Sequence, residues 1–171
     1  ESSLNAGIVC ELSPRCLFEE LRESFTEKEV GFDNSKAGDI DINATQIVNL
    51  NNSDILNDVQ HTQERVQGGD INISTNTLLV QNGAKVSTET FGEGKGGNLT
   101  VNALDVQLIG RSSGMDVGEC SKSSGGAGNL TLSTNKLLVQ DGAQVITSIY
   151  GEGKGGNLKM NAQHINNIRQ I

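Results

Sequence analysis

Residues 69–96 read GDINISTNTLLVQNGAKVSTETFGEGKG, and residues 128–155 read GNLTLSTNKLLVQDGAQVITSIYGEGKG. Aligned without a gap, the two stretches agree at 17 of 28 positions. Most of the differences are mild: Ile71 faces Leu130, Ile73 faces Leu132 and Phe91 faces Tyr150. Self-similarity at a fixed period of about 20–50 residues marks a solenoid or an array. Weaker units begin at Gly38 (GDIDINATQIVNL), Gly97 (GNLTVNALDVQLI) and Gly156 (GNLKMNAQHINNI). The anchor glycines 38, 69, 97, 128 and 156 are therefore spaced by 31, 28, 31 and 28 residues. Coils of two lengths alternate with a full period of 59 residues, as a duplicated two-coil cassette would give.

Counting from each anchor shows what the coils are made of. Offsets +2 and +4 are Ile40/Ile42, Ile71/Ile73, Leu99/Val101, Leu130/Leu132 and Leu158/Met160, all apolar with polar residues between. That two-residue alternation is a strand with one buried face. Offset +9 is Ile47, Leu78, Val106, Leu137 and Ile165. Offset +11 is Val80, Leu108 and Val139, while Leu50 and Ile168 stand one place later, as a small shift or bulge allows. A third strand is expected at Ala84–Val86 and Ala143–Val145 in the shorter coils. Three short strands per turn, with corners between, form one rung of a parallel β-helix. Equivalent strands of successive rungs then lie about 4.8 Å apart, and five anchors give a rod of roughly 25 Å. Polar columns are expected at the corners: Asn43, Ser74, Asn102, Ser133 and Asn161 at offset +5, and Ala44, Thr75, Ala103, Thr134 and Ala162 at +6. Such side chains can bond to one another and to corner backbone along the stack. The extra length of the longer coils falls at 58–68 and 116–127, polar stretches expected to loop off one face and the natural place for any specific site.

Composition agrees with this reading and excludes others. Only 35% of the 171 residues are hydrophobic and 3% aromatic, with 21 Gly and a single Pro. A core rich in large rings is not available, whereas tight corners and short strands are. A net charge of −8 argues against nucleic acid, whose phosphates need clustered Lys and Arg, and against anionic lipid surfaces. No apolar run is long enough to span a bilayer. Glu1-Ser-Ser-Leu4 has no basic region or long apolar stretch of the signal-peptide kind, and the abrupt ends read as a fragment of something longer or a truncated product.

Residues 1–37 do not fit the repeat. Residues 5–10 can form a short strand, and Ser13-Pro14 opens a helix over roughly 13–29, with Leu17, Phe18, Leu21 and Phe25 as its apolar stripe. This segment is read either as a lid over an end or flank of the stack or as an insertion with a surface helix. Cys10 and Cys16 can pair in an oxidising location, leaving Cys120 as an odd thiol, or all three stay free.

The stretches 96–103 (GGNLTVNA), 137–145 (LLVQDGAQV), 92–99 and 151–158 (both GEGKGGNL) resemble repeat-region sequences of filamentous-haemagglutinin-like exoproteins. They are similar in particular to the Gly/Asn-rich arrays of cyanobacterial members, which are similar to large two-partner-secretion proteins. The resemblance covers residues 38–171. It implies a right-handed parallel β-helix, export through an outer-membrane partner pore, and a secreted or cell-surface role as an adhesin or matrix fibre. The family's N-terminal secretion domain and any C-terminal effector are not among these residues.

Several chemical motifs compete with that reading. Gly92, Gly94 and Gly97 match G-x-G-x-x-G, as do Gly151, Gly153 and Gly156, but a dinucleotide fingerprint needs a helix next, and here a strand is expected at Leu99 and Leu158. A polysaccharide lyase or hydrolase would want carboxylates gathered on neighbouring rungs, whereas Asp54, Asp70, Asp105, Asp116 and Asp141 look scattered. His61 and His164 lack ligand-spaced partners. Thr88 and Thr147 align across the shorter coils, but the long coil between them breaks an ice-binding Thr row. The expectation is thus an all-β parallel β-helix of about five coils with an irregular, helix-bearing N-terminal segment. It acts as a non-catalytic structural or adhesive segment, with cell-surface glycans or extracellular matrix as partners. No catalytic, cofactor-binding or metal-ligating residue is singled out, and the alternative is a carbohydrate-active β-helix enzyme.

Overall fold

The computed structural model describes residues 2–5, 36–59, 66–91, 93–119 and 125–168. The expected helix over 13–29, the Cys10–Cys16 pair, Cys120 and His61 lie outside the described residues. Every described element is a strand, and every pairing is parallel. In order they are β1 (Ser2–Asn5), β2 (Ile40–Asn43), β3 (Ile47–Asn51), β4 (Ser53–Leu56), β5 (Ile71–Gln81), β6 (Lys85–Thr90), β7 (Leu99–Ile109), β8 (Gly114–Glu119), β9 (Leu130–Gln140), β10 (Gln144–Ile149) and β11 (Leu158–Ile168). They stack as two sheets, β1-β4-β6-β8-β10 and β11-β9-β7-β5-β2, with β3 beside β5. The chain is a parallel β-helix: from Gly38 to Gly156 it closes four turns, and β11 opens a fifth.

The inward columns are those the spacing predicts. Ile71, Leu99 and Leu130 lie over one another, as do Ile73, Val101 and Leu132, and Leu78, Val106 and Leu137. All nine are buried, and Val86, Met115 and Val117 close the core from the other sheet. Each such side chain stabilises by about 1.5–3 kcal/mol, and only because a rung lies above and below it. The last rung shows this directly: Leu130 is 0% exposed, while Leu158 in the same column is 38% exposed.

Several features depart from expectation. The first two strands of a rung merge into one strand of 11 residues in β5, β7, β9 and β11. A bend survives inside it, because Asn76, Leu104, Asn135 and Gln163 are skipped by the pairing. Inward positions therefore run +2, +4, +6 and then +9, +11, a one-residue change of phase at the bend. In the first coil an extra residue shifts this phase. Val48 and Leu50, not Ile47, stand opposite Leu78 and Val80, and Ile47 is 53% exposed. The longer coils also have a third strand, β4 and β8. Residues 116–119 are therefore in-register strand rather than loop, and Asp58 and Val59 likewise lie beside Glu89 and Thr90. Finally, β1 pairs with β4, and Lys36 bridges to Gln67, so the sheets begin ahead of Gly38.

Two devices hold the rungs in register. The first is a side-chain ladder at offset +1, next to each anchor. Asp39 Oδ1 accepts the backbone N–H of Asp70 (2.8 Å), and Asp70 Oδ1 accepts both the backbone N–H (2.7 Å) and Nδ2 (2.9 Å) of Asn98. Asn98 Oδ1 receives the same pair from Asn129, and Asn129 Oδ1 from Asn157. The polar column expected at +5 carries no such side-chain bonds among the described residues. At +6, Thr75 and Thr134 point inward, their hydroxyls reaching corner carbonyls such as Thr77 O and Lys136 O. The second device is the anchor glycine itself. A Cβ on Gly69, Gly97, Gly128 or Gly156 would run into the carbonyl oxygen of the anchor glycine one rung before. The corners after β5 and β9 are Asn82-Gly83 and Asp141-Gly142, with φ of 56°, 84°, 56° and 85°. Both residues of each pair are left-handed, as a primed two-residue turn requires.

Gly128→Ala should cost about 3 kcal/mol, the upper end of overpacking. Gly83→Ala should cost roughly 1 kcal/mol from left-handed strain alone, since nothing lies within 4 Å of its missing Cβ. Asn98→Ala, which removes ladder bonds toward both Asp70 and Asn129, should cost about 2 kcal/mol. Chemical denaturation of the three variants checks this ranking.

Candidate functional site

The in-register third strands bring together acids that look unrelated in the sequence. Asp58, Glu89 and Asp116 come from three successive rungs and share one face of the β4-β6-β8 sheet. Asp58 Oδ1 accepts the backbone N–H of Glu89 (2.9 Å). Glu89 pairs in register with Gly118, whose missing Cβ would lie 2.8 Å from Ser148 Oγ and 3.6 Å from Asp116 Oδ1. Ser148 Oγ in turn lies 3.4 Å from Asp116 Oδ1. Asp116, expected to be one scattered acid among several, is thus part of a column.

The electrostatics follow from this crowding. Burial first, then the charge of Glu89, pushes the Asp58 carboxyl up to about 7, against the smaller pull of the Glu89 backbone N–H and Lys85. Burial and Glu89 likewise raise Asp116 to about 6, opposed by Lys85 and the Ser148 hydroxyl. Carboxyls shifted into this range are what general acid chemistry uses, and they also arise wherever like charges are stacked. Asp54, by contrast, caps the backbone N–H of Lys85, Asp70 is a ladder residue, and Asp141 supplies a left-handed corner.

The remaining candidates resolve as structure. Strands β7 and β11 follow the two G-x-G-x-x-G stretches, and among the described residues no helix N-terminus meets the glycines. Gly94 packs on the backbone of Val66, and Gly153 leaves the space taken by the Glu119 carboxylate. Thr88 is fully buried and donates to Gly97 O (2.9 Å), so it cannot belong to a water-ordering outer row. His164 is exposed on β11. Among the described residues no three His, Cys, Asp or Glu side chains are grouped to hold a metal ion, and no helix is long and apolar enough to cross a membrane.

A second surface feature lies on the other sheet. Where β5, β7, β9 and β11 bend, an open groove of about 790 Å³ runs across four rungs along the axis. It is lined by offsets +5, +6 and +7 of each rung, with Met160 at its open end. Sequence reading identified the +5 and +6 columns but assigned them to rung-to-rung bonding.

Comparison with known protein families, with characterised proteins and with solved structures finds no significant match for the chain.

The pH dependence of the acid column has a definite sign. The folded-state values of Asp58 and Asp116 lie above the ordinary carboxyl value of 3.8, so the native chain holds protons that the unfolded chain releases. The stability this contributes is fully present below pH 3.8 and is lost as pH rises through about 6 and 7. Thermal melts should therefore show stability falling between about pH 4 and pH 8. Asp58→Asn, which keeps an acceptor for the Glu89 N–H, should raise stability at pH 8 by about 2 kcal/mol and leave it unchanged near pH 4.

Proposed function

We propose that the chain is a non-catalytic structural and adhesive β-helix segment of a secreted or cell-surface exoprotein of the filamentous-haemagglutinin-like type. The observation that carries this reading is where the repeated polar residues act. The Asx ladder, the inward Thr hydroxyls and the corner Asn-Gly and Asp-Gly pairs maintain a rod, and outside the acid column the outer faces repeat with the rungs instead of converging on one point. A repeating outer face suits multivalent contact with an extended partner such as surface glycan or matrix, where many weak contacts add. Export through an outer-membrane partner pore belongs to the same reading.

One observation favours a second reading, a carbohydrate-active β-helix. Asp116 and Asp58 carry raised carboxyls beside Glu89, the kind of pairing that glycoside cleavage uses. Their burial weighs against it, since Asp58 is only 8% exposed and a glycosidic oxygen must reach the acid.

The two readings separate in one assay. The purified chain is incubated with a panel of polysaccharides while reducing ends and unsaturated products are measured, and its retention on cell-surface and matrix coatings is scored in parallel. The proposal expects retention without product. Product formation that Asp116→Asn abolishes would replace it with the enzymatic reading.

A further inference from the structure

We propose that the bend groove on the β5-β7-β9-β11 sheet binds a single chain of neutral, extended polysaccharide lying along the rod axis. This deepens the adhesive reading above and rests on it, by naming the ligand class and the surface that takes it.

The first ground is charge. The chain carries 13 basic and 21 acidic residues, yet every residue lining the groove is uncharged. A surface of amides and hydroxyls without charge selects a neutral, hydrogen-bonding partner over an anionic glycan, a nucleic acid or a basic peptide.

The second ground is the state of the amides. Several amide side chains elsewhere on the rod are used internally: Asn72 bonds Asp41, Asn82 bonds Asn51 and Gln81 bonds Asn49. In the groove, Asn76, Asn102, Asn135, Asn161 and Gln163 are exposed and have no hydrogen-bond partner among the described residues. Each offers a donor pair and an acceptor to a ligand without breaking a bond in the protein. Leu104, 55% exposed among them, offers an aliphatic contact for the C–H face of a sugar ring.

The third ground is spacing. Asn76 stands at +7, Asn102 at +5, Asn135 at +7 and Asn161 at +5, so the asparagines alternate across the bend from rung to rung, with Gln163 at +7 adding a second amide to the last rung. The pattern repeats every two rungs, about 9.6 Å at a sheet spacing of about 4.8 Å. In an extended 1,4-linked glycan of equatorially joined pyranose rings, successive rings are turned over, and each advances by close to one sheet spacing. The same hydroxyls thus return to the same side at every second ring, in step with the zigzag of amides.

Calorimetric titration with neutral β-1,4-linked oligosaccharides of increasing length tests this, with a polyanionic glycan as the parallel arm. The expected result is binding that strengthens with each added ring until the four rungs are spanned and that does not weaken with salt. The double variant Asn102→Ala/Asn135→Ala should lose about tenfold or more in affinity, as expected for lost ligand hydrogen bonds, with an unchanged thermal melt because neither amide bonds within the protein. The control Gln81→Ala, on the same sheet but outside the groove, should bind as the parent does. Binding only to the polyanion, no neutral-glycan binding at any length, or equal affinity in the double variant would each overturn the proposal. The coated-surface assay keeps the two inferences apart. Retention of both parent and double variant would remove the groove but keep the adhesive reading, and cleavage of a polymer would remove the adhesive reading itself.

Discussion

The fold depends on each rung finding its register against the one before, and that register is set beside the anchor glycine. A parallel sheet does not fix its own register strongly: a slip of one residue keeps the main-chain bonds and turns every side chain to the opposite face. The ladder from Asp39 to Asn157 removes that freedom, because each carboxylate or amide oxygen takes the backbone N–H of the next ladder residue and no other. The anchor glycines act by exclusion at the neighbouring position, since their carbonyls stack where no Cβ fits. Attraction and exclusion at adjacent residues reset the phase once per turn. Errors in coil length therefore do not accumulate, and turns of 28 and 31 residues coexist in one rod.

The same stacking that buries Leu99 between Ile71 and Leu130 also places like charges over one another. Where the repeat alternates sign, as with Asp105 opposite Lys136, stacking is favourable. Where it does not, the chain must absorb the repulsion, and Asp58 and Asp116, buried and crowded by Glu89, hold protons to a higher pH than isolated carboxyls. Proton uptake at Asp58 and Asp116 follows from their burial first, and then from the in-register parallel pairing that sets Glu89 beside them. Its cost is local, while the core columns on the other side of the same strands stay closed by Val86, Met115 and Val117.

Much of the architecture could be read from spacing because inward positions must be apolar and each rung repeats the same demand. Ile71, Leu99 and Leu130 have no other way to be buried. The ladder is less legible because Asp or Asn beside Gly is also ordinary turn chemistry, and +5 offers a more regular run of Asn and Ser. Counting from the anchor also fails wherever a corner changes length. In the first coil one extra residue puts Val48 in the place expected for Ile47. In the third, the corner Gly110–Ser113 is one residue longer, so Gly118 rather than Val117 faces Glu89. The acid column suffers from the same offset: its members sit at +20, +20 and +19, and only the observed pairing shows that they converge. The groove was hidden for a different reason, since whether an Asn bonds its neighbour or faces outward depends on bend geometry that no spacing encodes.

That bend ties the architecture to the function proposed for it. A strand of 11 residues can serve two walls of a β-helix only if its inward phase changes once, and the change leaves one residue per rung without a pairing partner. At that residue and two before it, side chains face outward from a concave corner, where they are used neither by the core nor by the ladder. A rod assembled from repeats must devote most of its columns to stacking, and in this chain the anchor, the ladder, the inward Thr and the corner glycines are so committed. The columns at +5 and +7 carry no side-chain hydrogen bonds among the described residues, and they inherit the regularity of the rungs. Recognition by such a surface would follow the periodicity of the fold, which is why the partner proposed for it is itself a repeating polymer.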